Sequence, residues 1–201
     1  MVRAIRTRAA ASMVAVALTI VAYTHGTSAR TPGGQTRVNA DAALAAEFTK
    51  RVEQYMAVHE KVHEKGGVPG LPKETTPEEI DKYQRALARA IQQLRPKAKP
   101  GEIFTKEIRA YFRRQLDSVF GGPEGRGLRA SIMDENPGPI KLQINGRYPD
   151  SVPLATMPPQ VLAALPKLPQ ELEYRFIGER LILLDEPAHL IVDYIEEALP
   201  K

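Results

Sequence analysis

The sequence predicts an α+β fold: three N-terminal amphipathic helices packed with a small, mainly antiparallel C-terminal sheet. Two observations carry this. Apolar residues recur at helical spacing through residues 41–120, and beyond Gly121-Gly122 the chain turns into short, Pro-punctuated segments rich in strand-forming residues.

The N-terminus reads as a targeting element. Arg3, Arg6 and Arg8 precede the apolar run Ala11 to Tyr23, and Thr27-Ser28-Ala29 is an acceptable small-residue cleavage site, so residues 1–29 are expected to be a signal peptide. The run falls short of the roughly 20 residues a membrane-spanning helix needs, so no stable span is expected after cleavage. An uncleaved anchor starting at Ala9 is the alternative. Residues 30–40, with Pro-Gly-Gly, are expected to be a flexible leader.

In the helical region, residues 41–120, Leu44, Phe48, Val52, Tyr55 and Val62 line one face of a first helix over Asp41 to Lys65, which Gly66-Gly67 stops. Thr76, Pro77 and Glu79 form a capping box. It opens a second helix, striped by Ile80, Tyr83, Leu87, Ile91 and Leu94 and closed by Arg95-Pro96. A third is expected from about Glu102 to Phe120, with Phe104, Ile108, Phe112, Leu116 and Val119 inward.

GGPEGRG then reads as a Gly-rich loop. In the α+β region, residues 131–201, IKLQI alternates apolar and polar residues before Asn145-Gly146, a strand-and-turn signal. MPPQVLAAL is expected to be a short helix and LEYRFIG-E-RLILLD a hairpin. HLIVDYI is read as a further strand, although residues 190–199 would also line a helix.

Removing Arg3, Arg6 and Arg8 leaves 25 of 28 Lys and Arg against 24 Asp and Glu, so the mature chain is nearly neutral. That argues against nucleic acid as a partner. Residues 30–130 carry 19 basic and 13 acidic groups and residues 131–201 carry 6 and 11, so the two parts are expected to dock. The chain contains no Cys, which excludes disulfides, thiolate catalysis and Cys-ligated zinc.

His59, Glu60 and His63 spell H-E-x-x-H, the pattern in which two His one turn apart bind zinc and the Glu acts as general base. A zinc-dependent hydrolase with catalytic Glu60 and metal ligands His59 and His63 is therefore one functional reading. Against it, Pro69 stands where a third His belongs, and Lys61 places a cation inside the motif. Only Glu78 or Glu79 offers a substitute ligand nearby. His59 and His63 flank the apolar stripe while Glu60 points away, as partly buried residues of an ordinary helix would.

Lys106, Arg109 and Arg113 share one flank of the third helix, and Arg126 and Arg129 follow. Together they are candidates for binding an anion, with Asp117 a local partner for Arg113. Asp134, Glu135, Asp150, Asp185 and Asp193 supply carboxylates to the α+β region, but no nucleophile elbow surrounds Ser118 or Ser131.

At RYPDSVPLATMPP, LEYRFIGERLILLD and HLIVDYIEEAL the chain resembles a group of uncharacterised exported bacterial proteins, over about its last 60 residues. The resemblance implies export and assigns no activity. The reading preferred from sequence is thus an exported, periplasmic or secreted protein acting as a non-catalytic binding or structural module. No cofactor is expected, and an anionic cell-envelope component is the expected partner.

Export gives the first test. Protein recovered from a bacterial periplasm is expected to lack residues 1–29 by intact mass, and retention of that segment would favour the anchor.

Overall fold

The computed structural model describes residues 32–64, 67–68, 70–71, 75–134, 140–153 and 156–200. The expected signal peptide lies outside them. Helix α1 spans Pro32–Glu64, starting at Pro32 rather than Asp41, so residues 32–40 of the expected leader belong to the helix. Proline at a first helical position loses no hydrogen bond, which removes the conflict with the sequence. The buried stripe of α1 is Phe48, Val52, Tyr55, His59 and Val62, at alternating spacings of four and three. His59 thus stands inside the stripe rather than on its flank.

Helix α2, Pro77–Leu94, opens on the expected capping box. Glu79 N donates to Thr76 Oγ1 at 3.3 Å, and Thr76 N donates to Glu79 Oε2 at 2.8 Å. Leu87, Ala88 and Ile91 are buried, whereas Ile80 and Leu94 at the two ends of the stripe are exposed.

Helix α3 spans Lys106–Phe120 and is capped by Thr105, not begun at Glu102. The shift has a physical cause. The amides of Gly101, Ile103 and Phe104 donate to the Asp193 carboxylate at 2.9 to 3.0 Å, which holds residues 101–104 in a turn outside any helix. Gly101 sits at φ 86°, a conformation few other residues tolerate.

The expected loop GGPEGRG instead leads into α4, Gly125–Asp134. Glycines weaken a helix by propensity, but Gly125 packs so closely that a Cβ there would stand 1.8 Å from Phe120 O. Ile132 buries the inner face. Helix α5, Pro159–Ala164, falls where expected, so the described residues hold five helices, with α4 added to the three expected N-terminal ones and α5.

Strands β1 (Leu172–Ile177), β2 (Arg180–Asp185) and β3 (Leu190–Ile195) form an antiparallel sheet in the order β1-β2-β3. Gly178 at φ 58° opens the two-residue turn of the β1–β2 hairpin. HLIVDYI is strand, and IKLQI belongs to no named strand. Its alternation nevertheless survives as burial, with Leu142 and Ile144 in and Lys141 and Gln143 out. The turn at Asn145 (φ 58°) bends the chain, and the bonds to β3 run from Asn145 N to Ile191 O and from Ile191 N to Gly146 O, with Tyr148 N donating to His189 O just before the strand, each 2.9 Å.

The sheet is covered on both sides, which explains why β2 is buried from Leu181 to Asp185. Leu172, Tyr174, Phe176, Leu181, Leu183, Leu190 and Val192 share the main core with the helices. Ile177, Ile182, Leu184 and Ile191 pack under Leu142, Tyr148 and Val152. At the centre of the main core, Phe48 lies 4.9 Å from Phe112 and 5.6 Å from Phe104 between ring centroids, and Phe112 lies 5.9 Å from Tyr174. Such pairs contribute about 1 kcal/mol each beyond area burial.

The contact between the two oppositely charged parts is chiefly apolar. Arg129 and Glu179 pair across it at 2.7 Å in the expected sense, but Arg147 and Asp81, at 2.9 Å, reverse that sense. Partly exposed pairs of this kind are worth roughly 0–1 kcal/mol.

Asp193 bears more weight. Asp193→Ala strips an acceptor from four amides, two of them in buried hydrogen bonds, and is expected to lower the unfolding free energy by about 3 kcal/mol in urea titration. A loss below about 1 kcal/mol would show that water replaces the carboxylate.

Candidate functional site

The H-E-x-x-H stretch is split by burial. His59 is 5 % exposed, whereas Glu60, Lys61 and His63 face solvent. His59 Nε2 points to Asp185 Oδ2 at 3.5 Å, and His63 Nδ1 lies 3.2 Å from Val68 O. Of the substitute third ligands, Glu79 is engaged in the α2 cap and Glu78 is exposed. Pro69 lies outside the described residues. His189 sits on the β2–β3 turn beside Tyr148 and Asp150. Among the described residues, no three His, Asp or Glu side chains gather where one ion could be held.

Residues far apart in sequence make a different cluster. Asp185, fully buried at the end of β2, accepts a hydrogen bond from Tyr55 Oη at 2.6 Å on Oδ2 and from Ala188 N at 2.8 Å on Oδ1. The second bond shapes the β2–β3 turn, and the first ties that turn to α1. Burial pushes the Asp185 carboxyl above its usual range, against the hydrogen bond from Tyr55 and the nearby His59. Burial, with the Asp185 charge next in effect, raises the Tyr55 hydroxyl well above its ordinary value. His59 Nε2 has no hydrogen-bond partner among the described residues. The Arg95 guanidinium lies 5.0 Å from the Tyr55 ring centroid and bonds to Asn145 Oδ1 and Glu102 Oε2, each at 2.9 Å.

A Tyr–Asp–His arrangement can share and move protons. Here Tyr55, His59 and Asp185 are all buried, and none of them lines the cleft described below. Sequence reading named His59 and Asp185 separately and missed their union. The available signals were a His in register with the apolar stripe and an Asp closing the apolar run LILL.

The five candidate anion-binding residues do not act as one group. Arg113 donates from Nη2 to Glu196 O at 2.7 Å and from Nε to Glu197 O at 3.2 Å, not to Asp117, and so holds the chain leaving β3. Arg129 is paired with Glu179. Lys106 and Arg126 are exposed, and Arg109 is half-buried near Gly101. Among the other acids, Asp150 pairs with Arg147, Asp134 ends α4 in solvent, and Glu135 lies outside the described residues. Ser118 Oγ bonds to Gln115 O, which occupies its hydroxyl locally.

A cleft of about 630 Å³ opens between α5 and β1, within the size range of ligand sites. Met157, Leu162, Leu168, Leu172 and Tyr174 give it apolar walls, with Thr156, Lys167, Glu173 and Arg175 as polar members. Leu162 is 49 % exposed and Lys167 is exposed, while Arg175 is ion-paired with Glu173. Comparison of the chain with protein-family models, curated proteins and solved structures gives no match.

With His59 turned to Asp185, chelator-treated protein is expected to bind no stoichiometric zinc, measured by calorimetric titration. His63→Ala is expected to leave the melting temperature within about 2 °C. Stoichiometric binding that His63→Ala abolishes would restore the hydrolase reading.

Proposed function

We propose that the chain is a non-catalytic binding module of the cell envelope, exported behind residues 1–29, and that its contact site is the cleft between α5 and β1. One observation carries this reading: among the described residues the cleft joins apolar walls to an exposed cation, Lys167, while its carboxylate, Glu173, is held by Arg175. The side chains equipped for proton chemistry, His59 and Asp185, are buried elsewhere.

The lining selects its ligand. Met157, Leu162 and Leu168 take an apolar body, and Lys167 takes an anionic end, so the occupant is an anionic amphiphile such as an envelope component offers. The basic face of α3 and α4 is the weaker surface because Arg113 and Arg129 are engaged inside the molecule.

The test uses 1-anilinonaphthalene-8-sulfonate, which has both an apolar body and an anionic group. Fluorescence titration is expected to give saturable binding that Leu162→Asp and Lys167→Glu each weaken about tenfold, the equivalent of about 1.4 kcal/mol. Arg126→Glu is expected to change nothing. Binding that depends on Arg126 and not on Lys167 would move the contact to the basic face, and absence of saturable binding would remove the cleft.

A further inference from the structure

Strand β1 is the outer strand of the sheet and pairs with β2 alone. Facing residues of an antiparallel pair alternate between those that exchange main-chain hydrogen bonds and those that do not. Glu186 N donates to Glu171 O at 3.0 Å, and this sets the phase of the ladder. With Leu172 opposite Asp185, the main chain of Glu173, Arg175 and Ile177 turns toward β2, and that of Leu172, Tyr174 and Phe176 turns away from it. The Leu172 amide closes a local turn on Pro169 O at 3.1 Å. Among the described residues, no hydrogen bond reaches the amides or carbonyls of Tyr174 and Phe176.

The cleft follows this edge. One face of a strand presents every second residue, but the cleft is lined by four in succession, Leu172 to Arg175, so it runs along the edge of β1 rather than across a face. It continues into a smaller cavity of about 70 Å³, which Phe176 and Gly178 line together with Leu128 and Ile132 of α4. Thr156 and Met157 belong to both, and join them into one groove. At about 3.3 Å per residue, the edge from Leu172 to Phe176 is about 13 Å long, the reach of an extended segment of about five residues.

We propose that this groove takes an extended peptide segment, which adds to the sheet as a strand beside β1. This occupant presupposes the α5–β1 cleft as the contact site and names the class of its partner. The main chain of the segment bonds to the amides and carbonyls of Tyr174 and Phe176, its apolar side chains at alternate positions meet Met157, Leu162 and Leu168, and an acidic residue meets Lys167. An acyl chain would fill the same apolar wall and leave the edge amides and carbonyls unpaired. A peptide satisfies both. Unpaired edge groups are a template for another strand, and a second copy of this chain is the competing occupant. Edge-to-edge pairing of two copies would bring a second α5 to a boundary where the first already stands, which favours a single segment.

Hydrogen exchange followed by NMR tests the edge in the free protein. The amides of Tyr174 and Phe176 are expected to exchange at least about a hundredfold faster than those of Glu173, Arg175 and Ile177. Equal protection of the two sets would overturn the proposal. The occupant is tested with seven-residue peptides selected on the purified protein from a random displayed library, which are expected to carry apolar residues at alternate positions and an acid. The selected peptide is then made in two forms, N-methylated at one or the other set of alternate residues. Only one edge of an added strand faces β1, so one form is expected to lose about tenfold or more in affinity and the other to bind as before. Lys167→Glu is expected to weaken the parent peptide about tenfold. Equal binding of the two methylated forms, or no enriched peptide, would overturn the peptide. If 1-anilinonaphthalene-8-sulfonate still binds in a Lys167-dependent way, the cleft then stands as a site for a non-peptide amphiphile; if it does not, the cleft reading falls as well. A concentration-dependent dimer in sedimentation that protects the Tyr174 and Phe176 amides would give the edge to a second copy and also overturn the proposal.

Discussion

Four backbone amides converge on one carboxylate, that of Asp193, and the docking of the helices on the sheet depends on the three of them that come from residues 101–104. The β-bulge near Leu183 and Leu184 makes it possible. Strand β3 pairs Leu183 with Asp193 but Leu184 with Ile191, so Val192 is the extra residue and the alternation breaks there. Val192 and Asp193 consequently both face the helices. Held by the carboxylate, residues 101–104 carry Phe104 into the aromatic cluster with Phe48 and Phe112 and deliver the chain to the Thr105 cap of α3. A buried carboxylate is tolerable here because amide donors replace the water it gave up.

The parts of the fold readable from sequence are those governed by local rules. Thr76-Pro77-x-Glu79 sets the start of α2 through its own side chains, and Gly178 sets the β1–β2 turn through its positive φ. The errors lie where a distant partner overrides local preference. Residues 102–105 have a helical pattern, but the amides of Ile103 and Phe104 find Asp193. GGPEGRG has loop composition and is loop through Glu124, but its last three residues begin α4, where Gly125 fits closely against Phe120. IKLQI has the alternation of a strand and receives the burial of one, but its backbone joins β3 only after the bend at Asn145.

The candidate site was readable in part for the same reason. A short pattern such as H-E-x-x-H fixes which residues are one helical turn apart and says nothing of which face the core takes. Here the core takes the face bearing His59, because Phe48, Val52, Tyr55 and Val62 already define it, and Glu60 and His63 are left in solvent. The cations show the converse. Arg113 reads as a solvent-side residue by its neighbours Asp117 and Arg109, but the end of β3 lies close enough for its guanidinium to bond two main-chain carbonyls. Neither outcome is encoded within one helix.

The proposed cleft and the Tyr55–Asp185 bond are joined by covalent and hydrogen-bonded structure. Asp185 and Leu172 are direct partners across the β1–β2 ladder, and Glu186 N bonds to Glu171 O one step beyond it. Leu172 is also where β1 begins to line the cleft, followed by Glu173, Tyr174 and Arg175. The strand that walls the cleft is thus held in place from behind by the same ladder end that Tyr55 fastens to α1. Two sites coupled through one rigid pair of strands share free energy only to the extent that each favours one position of that pair. Tyr174 fixes that strand further, its hydroxyl donating to Pro166 O at 3.0 Å and its ring packing 5.9 Å from Phe112 between centroids.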